Sequence, residues 1–346
     1  MTNVTTQNSL KRNCEGTEQL RVIFMGTPDF AVGTLEALVQ AGHEVVLTVT
    51  QPDKPQGRKQ VLVAPPVKEK ALELGIPVFQ PKRVREPESL RVLKDYEPEL
   101  IVVAAFGQIL PKELLEMPKY GCINVHASLL PKYRGAAPIQ WSILNGDEVT
   151  GVTIMRMDEG LDTGDMIAKT EIKIAPEDTG GTLFDRLAEA GARLCVETIP
   201  SIVDGTAVYT PQDESAATKV GMIKKQDGLI DFSRSAKTIE CQVRGLNPWP
   251  SAYTSLAGKT LKIWSADVCE GDAAKDVALT SGTVSAAFDI VAAAPGTVVF
   301  IKKDCFGVQT GDGILVCKEV QLEGKKRMSA GDFLRGNAIE VGTVLG

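Results

Sequence analysis

Asn124 and His126 are the two residues whose types and spacing most directly suggest chemistry. They stand two positions apart in an apolar run that begins at Cys122, so both side chains leave the same face of an extended backbone. Such a run is typical of a buried strand, and open α/β sheets place their ligands at the ends of such strands. The chain has only two histidines. An amide and an imidazole on one face of a buried strand therefore predict a functional site.

Asp162 could complete a group of amide, imidazole and carboxylate. It lies between Gly160 and Gly164 in the segment 157–164, which reads Met-Asp-Glu-Gly-Leu-Asp-Thr-Gly. An amide N–H and an imidazolium can stabilise the oxyanion of a tetrahedral intermediate, and a carboxylate can assist proton removal. Since no serine or cysteine occupies a hydrolase-type nucleophile turn, the pattern predicts non-covalent acyl or one-carbon group transfer between two bound substrates. The residues alone leave the acceptor open.

Composition narrows the class of protein. The chain has 346 residues, a net charge of −6 and seven scattered cysteines without a Cys-x-x-Cys pair. The cysteine pattern favours a reducing compartment, so we expect a cytoplasmic protein without disulfides or a metal site. No apolar run approaches the ~20 residues of a membrane-spanning helix. The negative net charge gives no support for nucleic-acid binding, which would need a local basic surface.

The first two thirds of the sequence predict a Rossmann-like α/β domain with a mostly parallel sheet. An apolar strand over residues 21–25, a turn at Gly26 and a helix over 30–40 begin an alternation of strands and helices that continues to about residue 206. The turn has a single glycine, which disfavours a dinucleotide site. Residues 1–20 are expected to be a disordered extension, and His43 is expected in an exposed turn.

The remaining residues predict a second, smaller domain. A polar segment over residues 207–222 is interpreted as a linker, and residues 223–346 contain one helix, at 236–244, and several short strands separated by glycine-rich turns. This pattern is typical of a small OB-like β-barrel. The expected order is therefore extension, catalytic domain at 21–206, linker at 207–222 and barrel at 223–346.

Several longer motifs resemble those of the methionyl-tRNA formyltransferase family. The similarity runs from about Arg21 to about Gly336 and is carried by the segments 26–31, 124–126, 128–139, 157–164 and 247–250. The Ser-Leu-Leu-Pro…Arg-Gly segment that starts at Ser128 is specific for folate-dependent formyltransferases as a group. The form of segment 157–164 narrows the resemblance to the tRNA enzymes.

The resemblance implies transfer of the formyl group of 10-formyltetrahydrofolate to the α-amine of methionine esterified to initiator tRNA. Asn124 would hold the formyl oxygen, His126 would stabilise the intermediate, and Asp162 would orient His126 and assist proton removal. The residues implied to line the folate site are Ser128, Leu129, Leu130, Pro131, Tyr133, Arg134, Gly135 and Pro138.

The resemblance also implies contacts with the tRNA. In the proline-rich segment 51–66 the implied acceptor-stem residues are Lys54, Arg58 and Lys59, and in the C-terminal domain the candidates are Lys224, Lys225 and Lys262. The sequence departs from the family at Gln60 and Val61, where consecutive lysines are frequent, and at Met222, where many members have a lysine. We expect a monomer.

Other functions share parts of this pattern. A formyltransferase acting on an amino-sugar nucleotide would use the same three catalytic residues, but the basic segment and the form of segment 157–164 argue against it. A purine-pathway formyltransferase would end near the end of the first domain. A formyl-folate hydrolase or sensor would bind the folate without an acceptor, and lack of tRNA-stimulated turnover would point to it. A tRNA-binding protein with an inactive site is disfavoured, because Asn124, His126 and Asp162 are all present.

Overall fold

The computed structural model describes residues 19–56, 60–269, 293–337 and 339–346. Contacts divide the chain into two compact units. The first contains the described residues up to Gly135 with Thr150–Lys173 and Phe184–Lys219, and the second contains Ala136–Val149, Ile174–Leu183 and the described residues from Val220. The expected boundaries at residues 206 and 222 stay a prediction, because these units follow contacts rather than chain order.

Within the described residues from Arg21 to Val203, strands and helices alternate largely as the sequence predicts. The strands are β1 (Arg21–Gly26), β2 (Glu44–Val49), β3 (Lys54–Gln56), β4 (Val61–Val63), β5 (Val78–Phe79), β6 (Leu100–Ala104), β7 (Cys122–His126), β8 (Arg134–Gly135), β9 (Val149–Arg156) and β10 (Met166–Lys173). The helices are α1 (Asp29–Gln40), α2 (Pro66–Glu73), α3 (Pro87–Asp95), α4 (Lys112–Leu115), α5 (Pro138–Leu144) and α6 (Gly180–Val203).

Seven of these strands form one sheet in the order β10-β9-β7-β6-β1-β2-β5. The pairs β7–β6, β6–β1, β1–β2 and β2–β5 are parallel, and β9 is antiparallel to β7. Residues of β6 and β7 are buried throughout, as expected for parallel strands covered on both faces. The carboxyl end of β7, where His126 stands, therefore lies beside the end of β6 at one edge of the sheet.

The C-terminal part begins with a two-residue strand, β11 (Lys219–Val220). The elements that follow are α7 (Ala236–Gly245), β12 (Ala252–Leu256), β13 (Lys259–Cys269), β14 (Val298–Ile301), β15 (Phe306–Gln309), β16 (Ile314–Leu322), β17 (Met328–Ser329) and α8 (Ala330–Gly336). Strands β12 to β17 form an antiparallel sheet in the order β12-β13-β16-β15-β14, and β17 pairs with β16. The predicted fold class, a mostly parallel sheet domain followed by a separate β domain, is confirmed.

One detail of the C-terminal prediction is wrong. The sequence indicated one helix, but a second, α8, begins where the Ser329 side chain accepts a hydrogen bond from Asp332 N. Its Phe333 packs against Phe306 of β15 in the core with ring centroids 6.4 Å apart.

His43 is buried, so the prediction of an exposed turn residue is wrong. Its Nδ1 accepts a hydrogen bond from the main-chain N–H of Leu20, 3.4 Å away, and Glu44 N donates to Leu20 O. Leu20 is itself fully buried. Ordered structure therefore includes residue 20, and of the expected extension residues 1–18 lie outside the described residues. Within the described residues no helix has the length and apolarity to cross a membrane.

The turn after β1 requires glycine for space. A Cβ on Gly26 would lie 2.7 Å from Ala31 Cβ and 3.0 Å from Ala104 O. By contrast, a Cβ on Gly33 in α1 would meet only Ala192 Cβ, at an ordinary 3.8 Å. Gly26 and Gly33 are only seven residues apart, yet a side chain can be added at Gly33 and not at Gly26.

Gly26→Ala and Gly33→Ala are accordingly expected to change stability in opposite directions. The first forces apart β1, α1 and β6 and should lower the free energy of unfolding by about 1–3 kcal/mol, as for an overpacked core. The second should raise it by up to about 1 kcal/mol, because alanine is the better helix former. Urea denaturation of both variants measures this, and equal effects would contradict the packing argument.

Burial also predicts a pH dependence for His43. Desolvation lowers the pKa of His43 below its ordinary value, so the unfolded chain binds a proton more readily than the folded chain does. Stability should therefore fall as the pH decreases through about 6.5, the pKa of an unfolded histidine. In His43→Gln this component is removed, and its unfolding free energy should change less between pH 7.5 and 5.5. Identical slopes for the two proteins would refute the assignment.

Candidate active site

His126 is the last residue of β7 and is almost fully buried. Its Nε2 lies 3.0 Å from Tyr133 O. A carbonyl oxygen can only accept, so this contact places a proton on Nε2. The other ring nitrogen, Nδ1, lies 3.8 Å from Asp162 Oδ2, which is too long for a direct hydrogen bond. The ring is thus held by the main chain through Nε2 and faces the carboxylate through Nδ1.

Asp162 is held in place by its backbone and by its carboxylate. Its φ of 54° is in the left-handed region, which aspartate tolerates better than most residues. Its Oδ2 accepts a hydrogen bond from Gly135 N at 2.8 Å. A Cβ on Gly164 would lie 1.8 Å from Arg156 O, and one on Gly160 would lie 1.9 Å from Thr163 Oγ1. Only glycine fits at position 164, where the clash is with main chain, and a side chain at position 160 would require Thr163 to move.

Asn124 lies on the same strand as His126, two residues earlier, and is buried. In the register of β7 with β9, Asn124 pairs with Met155 and His126 pairs with Thr153. Asn124 and His126 thus leave the same side of β7, and the structure brings His126 within 3.8 Å of Asp162. The assignment of catalytic roles to these three residues stays a prediction.

The segment after β7 is fixed by hydrogen bonds to β9 and β10. Thr153 Oγ1 donates to Ser128 O at 2.7 Å and accepts from Leu130 N at 3.1 Å. Ser128 Oγ donates to Lys132 O. Lys169 Nζ donates to Leu130 O, and burial lowers the pKa of this lysine.

The residues implied to line the folate site take different positions. Leu130 is buried with Met155 and Met166, whereas the Leu129 side chain approaches Gly151, where a Cβ would lie 2.6 Å from its Cδ2. Pro131 offers its carbonyl to Thr218 N. Pro138 opens α5 at its first helical position. Whether these residues contact folate stays a prediction.

Arg134 is the largest side chain that is almost completely buried, with 1% exposure. Its Nε donates to Gln212 Oε1 at 2.9 Å, and its two terminal nitrogens donate to Glu214 Oε2 and Oε1 at 3.0 and 2.7 Å. These hydrogen bonds hold the pKa of Glu214 below its ordinary value. All three guanidinium nitrogens therefore donate to two protein side chains, Gln212 and Glu214, which favours a positioning role for Arg134.

Segment 210–218, which was predicted to be part of a linker, contributes to the site. Gln212 Nε2 donates to Asp162 O and Gly164 O, and Thr218 bonds to the backbone of Tyr133 and Arg134. Spacing could not reveal these contacts, because the partners are about fifty to eighty residues apart in sequence. The only available signal was the polar character of the segment.

The residues implied to contact tRNA are only partly described. Lys54 is exposed on β3, which forms a hairpin with β4, while Arg58 and Lys59 lie outside the described residues. Lys224 and Lys225 are exposed, and Lys262 Nζ lies 5.4 Å from the centroid of the Trp264 ring. Across the described parts of the chain, no group of three histidine, cysteine or carboxylate side chains could hold a metal ion.

Comparison with known proteins identifies the family. A family model described as "Formyl transferase" matches residues 20–199, and one described as "Formyl transferase, C-terminal domain" matches residues 222–338. A curated methionyl-tRNA formyltransferase from Agathobacter rectalis is 57% identical and the match covers 94% of this chain and 99% of the relative. The Bacillus subtilis protein of the same name is 52% identical, with 94% and 98% covered.

Solved structures support the fold at low sequence identity. An N-formyltransferase from Helicobacter canadensis, in complex with folinic acid and dTDP-3-aminofucose, matches with a TM-score of 0.61 and 19% identity. That match covers 90% of this chain and all of the other. HypX from Aquifex aeolicus, in complex with tetrahydrofolic acid, matches at 0.58 and 16%, covering 94% of this chain and 51% of that one.

The relatives are matched over nearly their whole length, both family models are present in order, and the fold agrees. Formyl transferases are one-carbon group transferases, which is the class of reaction that the amide, imidazole and carboxylate predicted. The chain is therefore an enzyme of the formyl transferase family, and within it a member of the methionyl-tRNA formyltransferases.

Proposed function

We propose that this enzyme transfers the formyl group of 10-formyltetrahydrofolate to the α-amine of methionine esterified to initiator tRNA, for translation initiation. The observation that carries the proposal is the placement of His126 and Asp162 at the carboxyl end of β7. Their Nδ1 and Oδ2 atoms are 3.8 Å apart, and Asn124 occupies the same strand face. The names of the relatives that match over almost the whole chain support the choice of acceptor.

The reaction needs no covalent enzyme intermediate. The methionyl amine attacks the formyl carbon, and the carbonyl oxygen becomes an oxyanion that the Asn124 N–H and the imidazolium form of His126 would stabilise, the ring acting through its Nδ1–H side because Nε2–H donates to Tyr133 O. The amine loses one proton to Asp162, beside His126. The bond from the formyl carbon to the folate nitrogen then breaks, and Asp162 returns this proton to that nitrogen as tetrahydrofolate leaves. Since the attacking group is itself a substrate, alignment of the two substrates supplies much of the remaining rate enhancement.

The folate donor would occupy the segment that starts at Ser128. The bonds of Thr153 to Ser128 and Leu130, and of Lys169 to Leu130, give this segment a fixed backbone before substrate binds. A fixed segment binds its ligand without an ordering cost. Leu129, Pro131, Tyr133, Gly135 and Pro138 remain the other proposed lining residues, and Arg134 is proposed to act through its neighbours.

The acceptor stem would be contacted by the hairpin of β3 and β4. Lys54 is exposed there, and Val61 and Leu62 beside it are 58% and 66% exposed. A lysine can contact phosphate, and exposed apolar side chains can pack on bases. In the second unit, Lys224, Lys225 and Lys262 are proposed as further contacts with tRNA phosphates.

His126→Ala and Asn124→Ala should each lower kcat for formyl transfer to charged initiator tRNA by about 10²–10³-fold, the cost of removing an oxyanion donor. His43→Gln is the matched control, because it removes the only other histidine, and it should keep the wild-type kcat per folded molecule. The measurement is transfer of labelled formyl from 10-formyltetrahydrofolate. A wild-type enzyme that used a dTDP-amino sugar and ignored the charged tRNA would overturn the proposal.

Thr153→Val should loosen the segment that starts at Ser128, because it removes two hydrogen bonds to that segment. It leaves Ser128 O and Leu130 N without their shared partner in the interior, which should lower the free energy of unfolding by about 1–3 kcal/mol and raise KM for the folate donor. Thr48→Val is the matched control, because within the described residues the buried Thr48 hydroxyl has no hydrogen-bond partner. It should leave stability and KM unchanged or raise stability. Equal behaviour of the two valine variants would count against a role for Thr153.

A further inference from the structure

We propose that Gln212, together with Arg134, is a positioning residue that holds Asp162 against His126. The inference rests on the proposed function, because Asp162 is assigned there as the carboxylate that accepts the amine proton. Gln212 belongs to the segment 210–218, which we call the strap. The strap, the Asp162 turn and His126 all belong to the first compact unit.

All three polar groups of the Gln212 side chain are occupied. Nε2 donates to Asp162 O at 2.9 Å and to Gly164 O at 2.7 Å. Oε1 accepts from Arg134 Nε at 2.9 Å. A carboxamide is the uncharged side chain that offers two N–H donors and an acceptor together. Gln212 therefore joins the Asp162 turn to Arg134 with a donor and acceptor set that aspartate, glutamate or leucine cannot reproduce.

Arg134 in turn fixes where Gln212 lies. Its guanidinium is buried and is bound at one edge by Gln212 and at the other by both carboxylate oxygens of Glu214. A buried cation must keep such partners, because leaving it without them is costly. The rigid fork of five donors in arginine sets the direction of each bond. The strap thus has a defined orientation over Arg134.

The backbone beside Arg134 contacts both proposed catalytic groups. Tyr133 O receives His126 Nε2, and Gly135 N donates to Asp162 Oδ2. Tyr133 has a φ of 61° and Gly135 one of 106°, and a left-handed tyrosine is strained unless neighbouring contacts impose it. The strap supplies such contacts, since Thr218 accepts from Tyr133 N through Oγ1 and from Arg134 N through its carbonyl, both at 2.8 Å.

The strap therefore fixes His126 and Asp162 relative to each other from two directions. Gln212 holds the Asp162 turn by its carbonyl oxygens, and Thr218 and Arg134 hold the segment that receives His126. Gln212 and Thr218, which make the contacts from the strap, are six positions apart. Loss of Gln212 should allow Asp162 to move relative to His126 although the substitution removes neither side chain.

The first test compares Gln212→Leu with Gln40→Leu in formyl transfer to charged initiator tRNA. Gln40 is exposed at the end of α1 in the same unit, so the control makes the same chemical change without touching the site. Gln212→Leu should lower kcat by about 100-fold, the effect of an ångström-scale misplacement, with KM for both substrates within about threefold. Gln40→Leu should match wild type.

Two further variants separate positioning from folding. Gln212→Glu keeps the acceptor for Arg134 but sets a carboxylate against two carbonyl oxygens, so it should lose kcat as Gln212→Leu does. Arg134→Lys cannot bind Gln212 and Glu214 together, and it should also lose kcat. If Gln212 and Arg134 act on Asp162 as one unit, the double variant Arg134→Lys with Gln212→Leu should lose little more than either alone. If the loss of kcat in the double variant equalled the product of the two single losses, the proposal would be overturned.

Hydrogen–deuterium exchange supplies a readout that does not depend on the reaction. Gln212→Leu should speed amide exchange in the peptides that contain residues 157–165 and 133–135 and leave β1 and β6 as in wild type. If wild type fails to formylate charged tRNA but this exchange pattern appears, the proposed function fails and the strap contact stands. If kcat stays within twofold and exchange is unchanged in Gln212→Leu, the positioning role is refuted.

Discussion

The burial of the Arg134 guanidinium is the constraint on which the proposed active site depends. A cation that is 1% exposed must have partners, and two of its partners, Gln212 and Glu214, come from a segment about eighty residues away in sequence. Glu214 is largely exposed on its outer side, so solvent screens this ion pair and its contribution is mainly one of direction. The pair determines where the strap crosses the site, and the strap determines where Asp162 lies.

The left-handed residues of the site have a related physical cause. Asp162, Tyr133 and Gly135 all have positive φ. The main-chain groups of Tyr133 and Gly135, rather than their side chains, contact His126 and Asp162. Main-chain donors and acceptors have little freedom once a segment is fixed, which suits electrostatic stabilisation by preorganised groups. The cost of these conformations is met by contacts that other segments supply, chiefly Thr218 and Gln212. Such strain is typical of functional sites.

Local sequence patterns predicted the secondary-structure elements and the proposed catalytic residues, but not the residues that hold these in position. Asn124 and His126 could be found because a strand has a period of two, and Asp162 because it stands between two glycines. The roles of Gln212 and Thr218 could not be predicted, because the sequence of a polar segment does not indicate which distant main-chain groups it will bind by hydrogen bonds. The predicted exposure of His43 was wrong for the same reason, because its ring contacts the main chain of Leu20, twenty-three residues away. Helix α8 was missed because seven residues give too little periodicity.

Solved structures of similar fold include a sugar 3N-formyltransferase and an N-formyltransferase in complex with dTDP-3-aminofucose, so the fold alone does not specify the acceptor. With a net charge of −6, a tRNA can be attracted only by local basic surfaces. On the C-terminal sheet Lys262 and Arg327 approach the Trp264 ring at 5.4 and 4.8 Å, and Arg327 is also paired with Glu319. The aromatic ring holds both cations near one place on a strand, and this suits phosphate contacts that carry no base specificity. Under the proposed function, discrimination between acceptors would fall to the hairpin of β3 and β4, where exposed Val61 and Leu62 stand beside Lys54. The proposed folate segment after β7 and this hairpin are separate in sequence, so the acceptor surface could change while the folate segment stays the same.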